Sequence, residues 1–411
     1  MKHGAIFVPA ALVAAWLGIT GDAAAVEEKP GTRIEVRAQD MPAPYATPSV
    51  RNPPRLHQTL AGSNLLLPTG FASNVFADDI GQVRWLTVAP NGDVFATQLR
   101  SGKVWLLRDE NGTGEADVRT VFADGFDQPH GMAVRPGFLY VADVRGLWRI
   151  PYEPGDAEAR DKPQRVTPEG AFGSAGGHWT RNIAFSPDGA RVYVAIGSRG
   201  NVDEEPPPRG TVQEFAADGS GQRTFASGLR NPVGIAFYPG TNDLYTVVNE
   251  RDGLGDGLVP DYLTKVQRDG FYGWPYSYIG KHPQPKLAEK RPDLVSKAIV
   301  PDTLFRSHSA PLGLVFYDGD QFPPEYQGDA FVALHGSWNA AQPQGYAVVR
   351  VPFKDKKPAG YYEIFASGFW LGGKDPAVVR GRPVGLAVAK DGSLLIADDY
   401  ASIIWRVRYA P

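Results

Sequence analysis

Short apolar runs separated by turn residues recur along most of this chain, and no long stretch keeps the apolar spacing of an amphipathic helix. One phrase returns six times: an apolar strand, a hairpin rich in Pro and Gly, and a second apolar strand. Its copies are Trp85-Leu86-Thr87-Val88 with Val94-Phe95-Ala96, Gly131-Met132-Ala133-Val134 with Leu139-Tyr140-Val141-Ala142, and Asn182-Ile183-Ala184-Phe185 with Val192-Tyr193-Val194-Ala195. Three more follow: Gly234-Ile235-Ala236-Phe237 with Leu244-Tyr245-Thr246-Val247, Gly313-Leu314-Val315-Phe316 with Ala330-Phe331-Val332-Ala333, and Gly385-Leu386-Ala387-Val388 with Leu394-Leu395-Ile396-Ala397. A two-strand unit cannot bury both its faces, so the repeat predicts an all-β fold, a six-bladed β-propeller with blades stacked around a channel. The copies lie about 45 to 80 residues apart, wider than the ~40–45 of a compact blade, so long loops should leave the blades.

Ahead of the repeats, Met1-Lys2-His3, an apolar run from Ala5 to Ile19 and the small residues Ala23-Ala24-Ala25 follow the order of a secretory signal peptide. This predicts a leader over 1–25, an irregular Pro-rich lead over 26–68 and the propeller over 69–411. It also predicts a periplasmic or secreted chain. The apolar run is shorter than the ~20 residues of a membrane span, so the mature form should have no integral span. Among 411 residues the formal net charge is -3 with both signs interspersed, which leaves no basic stripe for nucleic acid. The cysteine count of 0 excludes disulfides, thiolate metal sites and c-type haem attachment.

In an up-and-down sheet, the start of the first strand and the end of the second share one end. Counting back from the repeat glycine, the fourth residue is Asp127, His178, Arg230, Ser309 or Gly381, and the third is Gln128, Trp179, Asn231, Ala310 or Arg382. Second strands end at Gln98, Asp143, Ser198, Glu250-Arg251-Asp252, His335 and Asp398. His178, in the small-residue loop Gly176-Gly177-His178, suits a general base at neutral pH if its pKa stays near ~6.5; a histidine bonded to the loop backbone is the structural alternative. His130 and His335 are further candidates at the mouth, but no H-x-H or H-E-x-x-H spacing supports a three-histidine metal site. Arg230-Asn231 and Arg380-Gly381-Arg382 put cations at equivalent strand starts, where guanidinium forks suit carboxylates, with surface ion pairs as the alternative. The stretch from Val248 to Asp256 offers carboxylates and free carbonyls fit for calcium, or a solvated turn. The loop Asp109-Glu110-Asn111-Gly112-Thr113-Gly114 lacks the bidentate Glu of an EF-hand and reads as a hairpin turn. There is no phosphate loop and no G-x-S-x-G elbow.

Together the phrases GLRNPVGIAF, VVNERDGLGDGLVPDYLT, GFYGWPYSYIG, SHSAPLGLVFYDG, HGSWN and GRPVGLAV resemble the glucose/sorbosone dehydrogenase family, on the side of the L-sorbosone dehydrogenase-like quinoproteins. The resemblance runs from about Leu66 to Val407. It implies noncovalent pyrroloquinoline quinone, calcium, oxidation of a sugar or related alcohol or aldehyde by hydride transfer to the quinone, and a separate electron acceptor. By resemblance, His178 is the base, Arg230 and Asn231 face the quinone oxygens, and Arg380 and Arg382 hold its carboxylates. Arg251 and Asp252 lend backbone carbonyls to calcium, while Gln128, His130 and His335 count among the cofactor-binding candidates. The family's aspartate that orients the histidine is replaced here by Ser198-Arg199, and its lysine has no match at His335-Gly336-Ser337. A calcium-dependent lactonase using the same metal and histidine on water is the alternative activity, and a non-catalytic binding propeller is the third reading.

Overall fold

The computed structural model of the chain describes residues 29–57 and 65–411, together with Met1; the predicted leader over 1–25 lies, apart from Met1, outside the described residues. Six sheets of four or five strands follow one another along the chain, antiparallel except where Gly270–Phe271 adds in parallel to the edge of the third. Their first strands are Val83–Val88, Met132–Arg135, Arg181–Phe185, Asn231–Phe237, Pro311–Phe316 and Pro383–Val388, each within or overlapping one copy of the repeat. Every first strand touches that of the next sheet, and the sixth touches the first, so the cycle is closed. The only α-helix among the described residues is Pro292–Val295, and no described helix is long and apolar enough to cross a membrane.

The repeat glycines mark where these strands crowd. A Cβ on Gly313 would stand 2.2 Å from the Val384 carbonyl oxygen, and one on Gly385 would stand 2.9 Å from that of Arg84. Only a residue without a side chain lets neighbouring inner strands come this close.

Between sheets, apolar positions of alternate register interdigitate, as the period of two requires. Tyr317, Phe322, Phe331 and Phe365 of the fifth sheet and its loops meet Leu386, Leu394 and Trp405 of the sixth. Each such side chain, buried, contributes about 1.5–3 kcal/mol. The sixth sheet takes its outer strand, Phe71–Ala77, from the start of the domain, where it pairs with Ile403–Tyr409 and ties the two ends of the ring together. Among its described residues the Pro-rich lead has little regular structure, and two short pieces of it pair with strands of the domain. Arg33–Ile34 adds a fifth strand to the fifth sheet, and Arg55–Leu56 pairs in parallel with Val378–Val379.

Candidate functional site

A cavity of about 430 Å³ opens where the inner strands begin, a size within the ~300–1,000 Å³ of small-molecule sites. Of the residues singled out from sequence, His178, Arg230, Asn231, Asp252, His335 and Arg382 line it. The counting rule works because alternate residues of a strand share a face: Trp179, Asn231, Ala310 and Arg382, each three before the repeat position, all reach the wall. Arg84 and Leu312, one before it, lie on the same face. Four of the inner strands also slip register at this end, between Val83 and Trp85, Pro232 and Ile235, Pro311 and Gly313, and Pro383 and Leu386. Bulges of this kind re-aim side chains beside a site.

Other candidates are placed elsewhere. Gln128 is exposed, in a left-handed turn with φ 54°. His130 is buried off the wall, its ring 4.7 Å from that of Trp85; burial, with Arg84 and Arg181 nearby, pushes it well below the usual imidazole range. Arg380, two residues before Arg382, is buried with its guanidinium 5.5 Å over the Trp405 ring and is not among the residues that line the cavity. Arg251 lines a neighbouring pocket. No group of three histidine or carboxylate side chains converges to hold a metal among the described residues. Asp143 and Asp398 accept backbone N–H bonds from Gly146 and Ala401 and build turns, and Asp109 likewise caps Thr113 and Gly114.

His178 is held by its own strand end. Its Nδ1 lies 2.8 Å from the Ser198 carbonyl oxygen and 3.1 Å from Ser198 Oγ, and since a carbonyl only accepts, Nδ1 carries the proton. Nε2 is left as a bare lone pair with no protein partner on a ring that lines the cavity. The main chain at Ser198 therefore does the orienting for which the family uses an aspartate. Burial, then the Arg230 charge, lowers the imidazole to about 3, so it is neutral at physiological pH and well below the value expected from the free side chain. Such a base is weak, but an anion held against Arg230 would cancel the charge that depresses it.

Arg230 is a fixed charge rather than a mobile clamp. Its Nη1 donates to the Glu250 carbonyl at 2.7 Å, Nε to the Asn201 carbonyl at 3.1 Å, and Nη2 to Asn201 Oδ1 at 3.0 Å and Asp252 Oδ2 at 3.3 Å. The other Asp252 oxygen accepts from Asn339 Nδ2 at 2.8 Å and lies 3.5 Å from His308 Nδ1. Burial lowers the His308 pKa but the carboxylates of Asp252 and Asp261 outweigh it, so the net shift is upward. Glu250 and Asp261, also on the wall, are both raised to about 7, chiefly by burial, with the Asp261 charge adding to the rise at Glu250 and the Asp252 charge to that at Asp261. Asp261 accepts the Glu250 and Ala310 N–H groups, each at 2.8 Å, whereas Glu250 Oε1 is buried without a partner.

Opposite these, His335 Nε2 lies 2.9 Å from Asp399 Oδ1, and Arg84 pairs with the other Asp399 oxygen. Burial would raise Asp399, but His335, Arg84 and Arg382 hold it below the usual carboxylate range. His335 itself falls to about 4 through burial and Arg382, so it too is neutral at pH 7. Arg382 is fixed by the His335 and Gly336 carbonyls, at 2.9 and 2.6 Å. Arg84 keeps a buried Nε without a partner, and its guanidinium lies 5.0 Å over Trp179. Arg84, Asp261, His308, Trp338 and Asn339 were not among the sequence candidates. They sit on third strands, in loops, or one position off the counted ones.

The site is thus a ring-mouth cavity with three arginines, two flanking tryptophans and a histidine whose bare nitrogen has no protein partner. Three carboxylates, those of Glu250, Asp252 and Asp261, share the wall with them. The chain belongs to the TrAA12-like family, whose profile matches residues 65–260 and 290–410. Among curated relatives, it is 28% identical to an uncharacterized protein of Borreliella burgdorferi over 84% of this chain and 91% of that one. It is 29% identical to the aldose sugar dehydrogenase YliI of Escherichia coli over 66% and 67%. With the pyrroloquinoline quinone-dependent pyranose dehydrogenase of Coprinopsis cinerea it shares 26% identity over 70% of this chain but only 43% of that longer protein. The solved quinone domain of that dehydrogenase superposes with a TM-score of 0.69 at 20% identity, covering 87% of this chain and 98% of the other. The quinone-bound aldose sugar dehydrogenase of Streptomyces coelicolor gives 0.59 at 17% identity, covering 83% and 99%. At these identities the structural likeness shows a shared fold.

Proposed function

We propose that the chain is a pyrroloquinoline quinone-dependent sugar dehydrogenase built as a six-bladed propeller, acting outside the cytoplasm on an aldose- or sorbosone-like sugar, alcohol or aldehyde. The observation that carries the reading is His178: a neutral imidazole with Nδ1–H tied to a carbonyl and Nε2 without a partner among the described residues, on the wall of a tryptophan-flanked cavity that three arginines line. The closed cycle of six sheets supports the blades, and the relatives with named activities support the chemistry.

The residues present fit the cofactor. Its flat, polycarboxylate ring matches Trp179 and Trp338 as apolar faces and Arg84, Arg230 and Arg382 as the cations, with Asn231 alongside; the buried Arg84 Nε and Asn231 Oδ1 without partners are groups such a ligand would satisfy. Bound there, pyrroloquinoline quinone supplies the two-electron acceptor that the side chains lack. In the reaction, His178 Nε2 takes the substrate hydroxyl proton while Ser198 keeps the ring in one orientation. Arg230 fixes positive charge beside it. The tryptophans exclude water. Electrons then leave to a separate acceptor.

Calcium belongs to the same proposal, with the main chain at Arg251 and Asp252 as donor. The Asp252 carbonyl accepts one bond from Asn201 Nδ2, at 2.8 Å, and has a second lone pair for a cation. Exhaustive chelation should abolish dye reduction by the reconstituted protein, and calcium with quinone should restore it. Full activity in the chelated, cofactor-depleted protein on adding quinone alone would remove calcium from the account.

A further inference from the structure

Beside the cavity lies a second pocket of about 490 Å³, separated from it by Asn201 and by the step from Arg251 to Asp252. Its walls include Tyr45 from the lead, Asp203, Arg251, Gln284 and Lys286. The Arg251 guanidinium is the unusual member. Its Nε and Nη1 are buried with no hydrogen-bond partner among the described residues. Buried guanidinium N–H groups left without an acceptor are costly, so an acceptor arriving at them, such as a carboxylate oxygen, is favoured. Lys286 adds a second cation at the rim, while the one wall carboxylate, Asp203, accepts the Glu204 N–H at 3.0 Å. Gln284 and Lys286 belong to residues 261–289, between the two stretches that match the family profile.

We infer that this pocket is an anion subsite for the substrate, in which Arg251 and Lys286 hold the carboxylate of an acidic sugar, a uronate or aldonate, while its oxidisable carbon reaches the neighbouring cavity. Both pockets are open and adjoin where Asp252 lines one and Asn201 and Arg251 line the other, so a sugar lying over that rim would have one end in each. The inference rests on the dehydrogenase reading for the fate of the sugar, but the pocket itself can be examined without turnover.

The test is calorimetric binding of sodium D-glucuronate and of neutral D-glucose to the full chain, with and without quinone and calcium, in wild type, Arg251→Gln, Arg251→Lys and Lys286→Gln. Glucuronate should bind wild type at least about tenfold more tightly than glucose, the scale of one charge-assisted hydrogen bond. Arg251→Gln should erase that preference and Lys286→Gln should reduce it, with glucose binding by Lys286→Gln unchanged. Arg251→Lys should retain part of it, and circular dichroism of each variant should match wild type. Equal affinity for the two sugars, or a preference that survives Arg251→Gln, would overturn the subsite. Dye reduction with neutral sugars but no glucuronate preference would reject the subsite alone, whereas glucuronate binding with no dye reduction from any sugar would reject the dehydrogenase reading alone.

Discussion

His178→Ala should lower the turnover number by about 10²-fold or more, the scale of losing a positioned general base. Quinone affinity should change little, because Arg84, Arg230 and Arg382 are held by other partners. The pH dependence is the sharper half of this prediction. Proton acceptance requires the neutral imidazole, which exists above its pKa, and burial with Arg230 moves that value down to about 3. The acid limb of kcat/KM that belongs to His178 should therefore lie below the ordinary imidazole range, and lowering the pH from 7.5 to 6 should not titrate this residue. An inflection near 7 would instead belong to Glu250 and Asp261, both at about 7, and Glu250→Gln should remove or shift it. A His178→Ala protein that binds quinone normally and turns over at near wild-type rate would make His178 structural, leaving His335 as the other neutral imidazole on the wall.

The second large effect is on stability. Asp399→Ala should destabilise the fold by about 3 kcal/mol, because it leaves the Arg84 guanidinium and the His335 imidazole without the carboxylate that both contact. The same change removes the group that counters Arg382 at His335, so the imidazole should become still harder to protonate. Urea unfolding checks the first point, with the midpoint falling at unchanged slope. Asp399→Asn, which keeps an acceptor for one partner, should lose less. A midpoint within experimental error of wild type for Asp399→Ala would show that the network contributes nothing net, as many partly exposed ion pairs do.

Much of this architecture is legible in the chain because a repeat forces it. Each copy of the two-strand phrase marks a first and a second strand, and counting back from the repeat position reaches His178, Arg230, Asn231 and Arg382 because equivalent strand starts come to the same end of the ring. The rule fails where local backbone departs from it. Gln128 turns out to solvent at a positive φ, and Arg380 lies over Trp405 rather than in the cavity. Asp399 escapes because it is one residue beyond the counted Asp398, which serves the turn. Asp261 and His308 escape because they lie in or just after the third and fourth strands of the fourth sheet, which carry no repeated phrase. The orienting partner of His178 could not be read from residue types at all, since a main-chain carbonyl has no letter. The closing strand Phe71–Ala77 is likewise hidden, because pairing across the whole domain leaves no local signal.

The most direct test of the central claim is to titrate pyrroloquinoline quinone into the purified, cofactor-free chain with calcium present, follow its absorption, and then add sugars with an artificial electron acceptor. The account predicts saturable binding with a perturbed quinone band at about one per chain, and dye reduction by at least one aldose, sorbosone-like or acidic sugar that is absent without quinone. No saturable quinone binding, together with hydrolysis of lactones by the quinone-free protein, would contradict it and turn the same cavity and histidine to water-dependent chemistry.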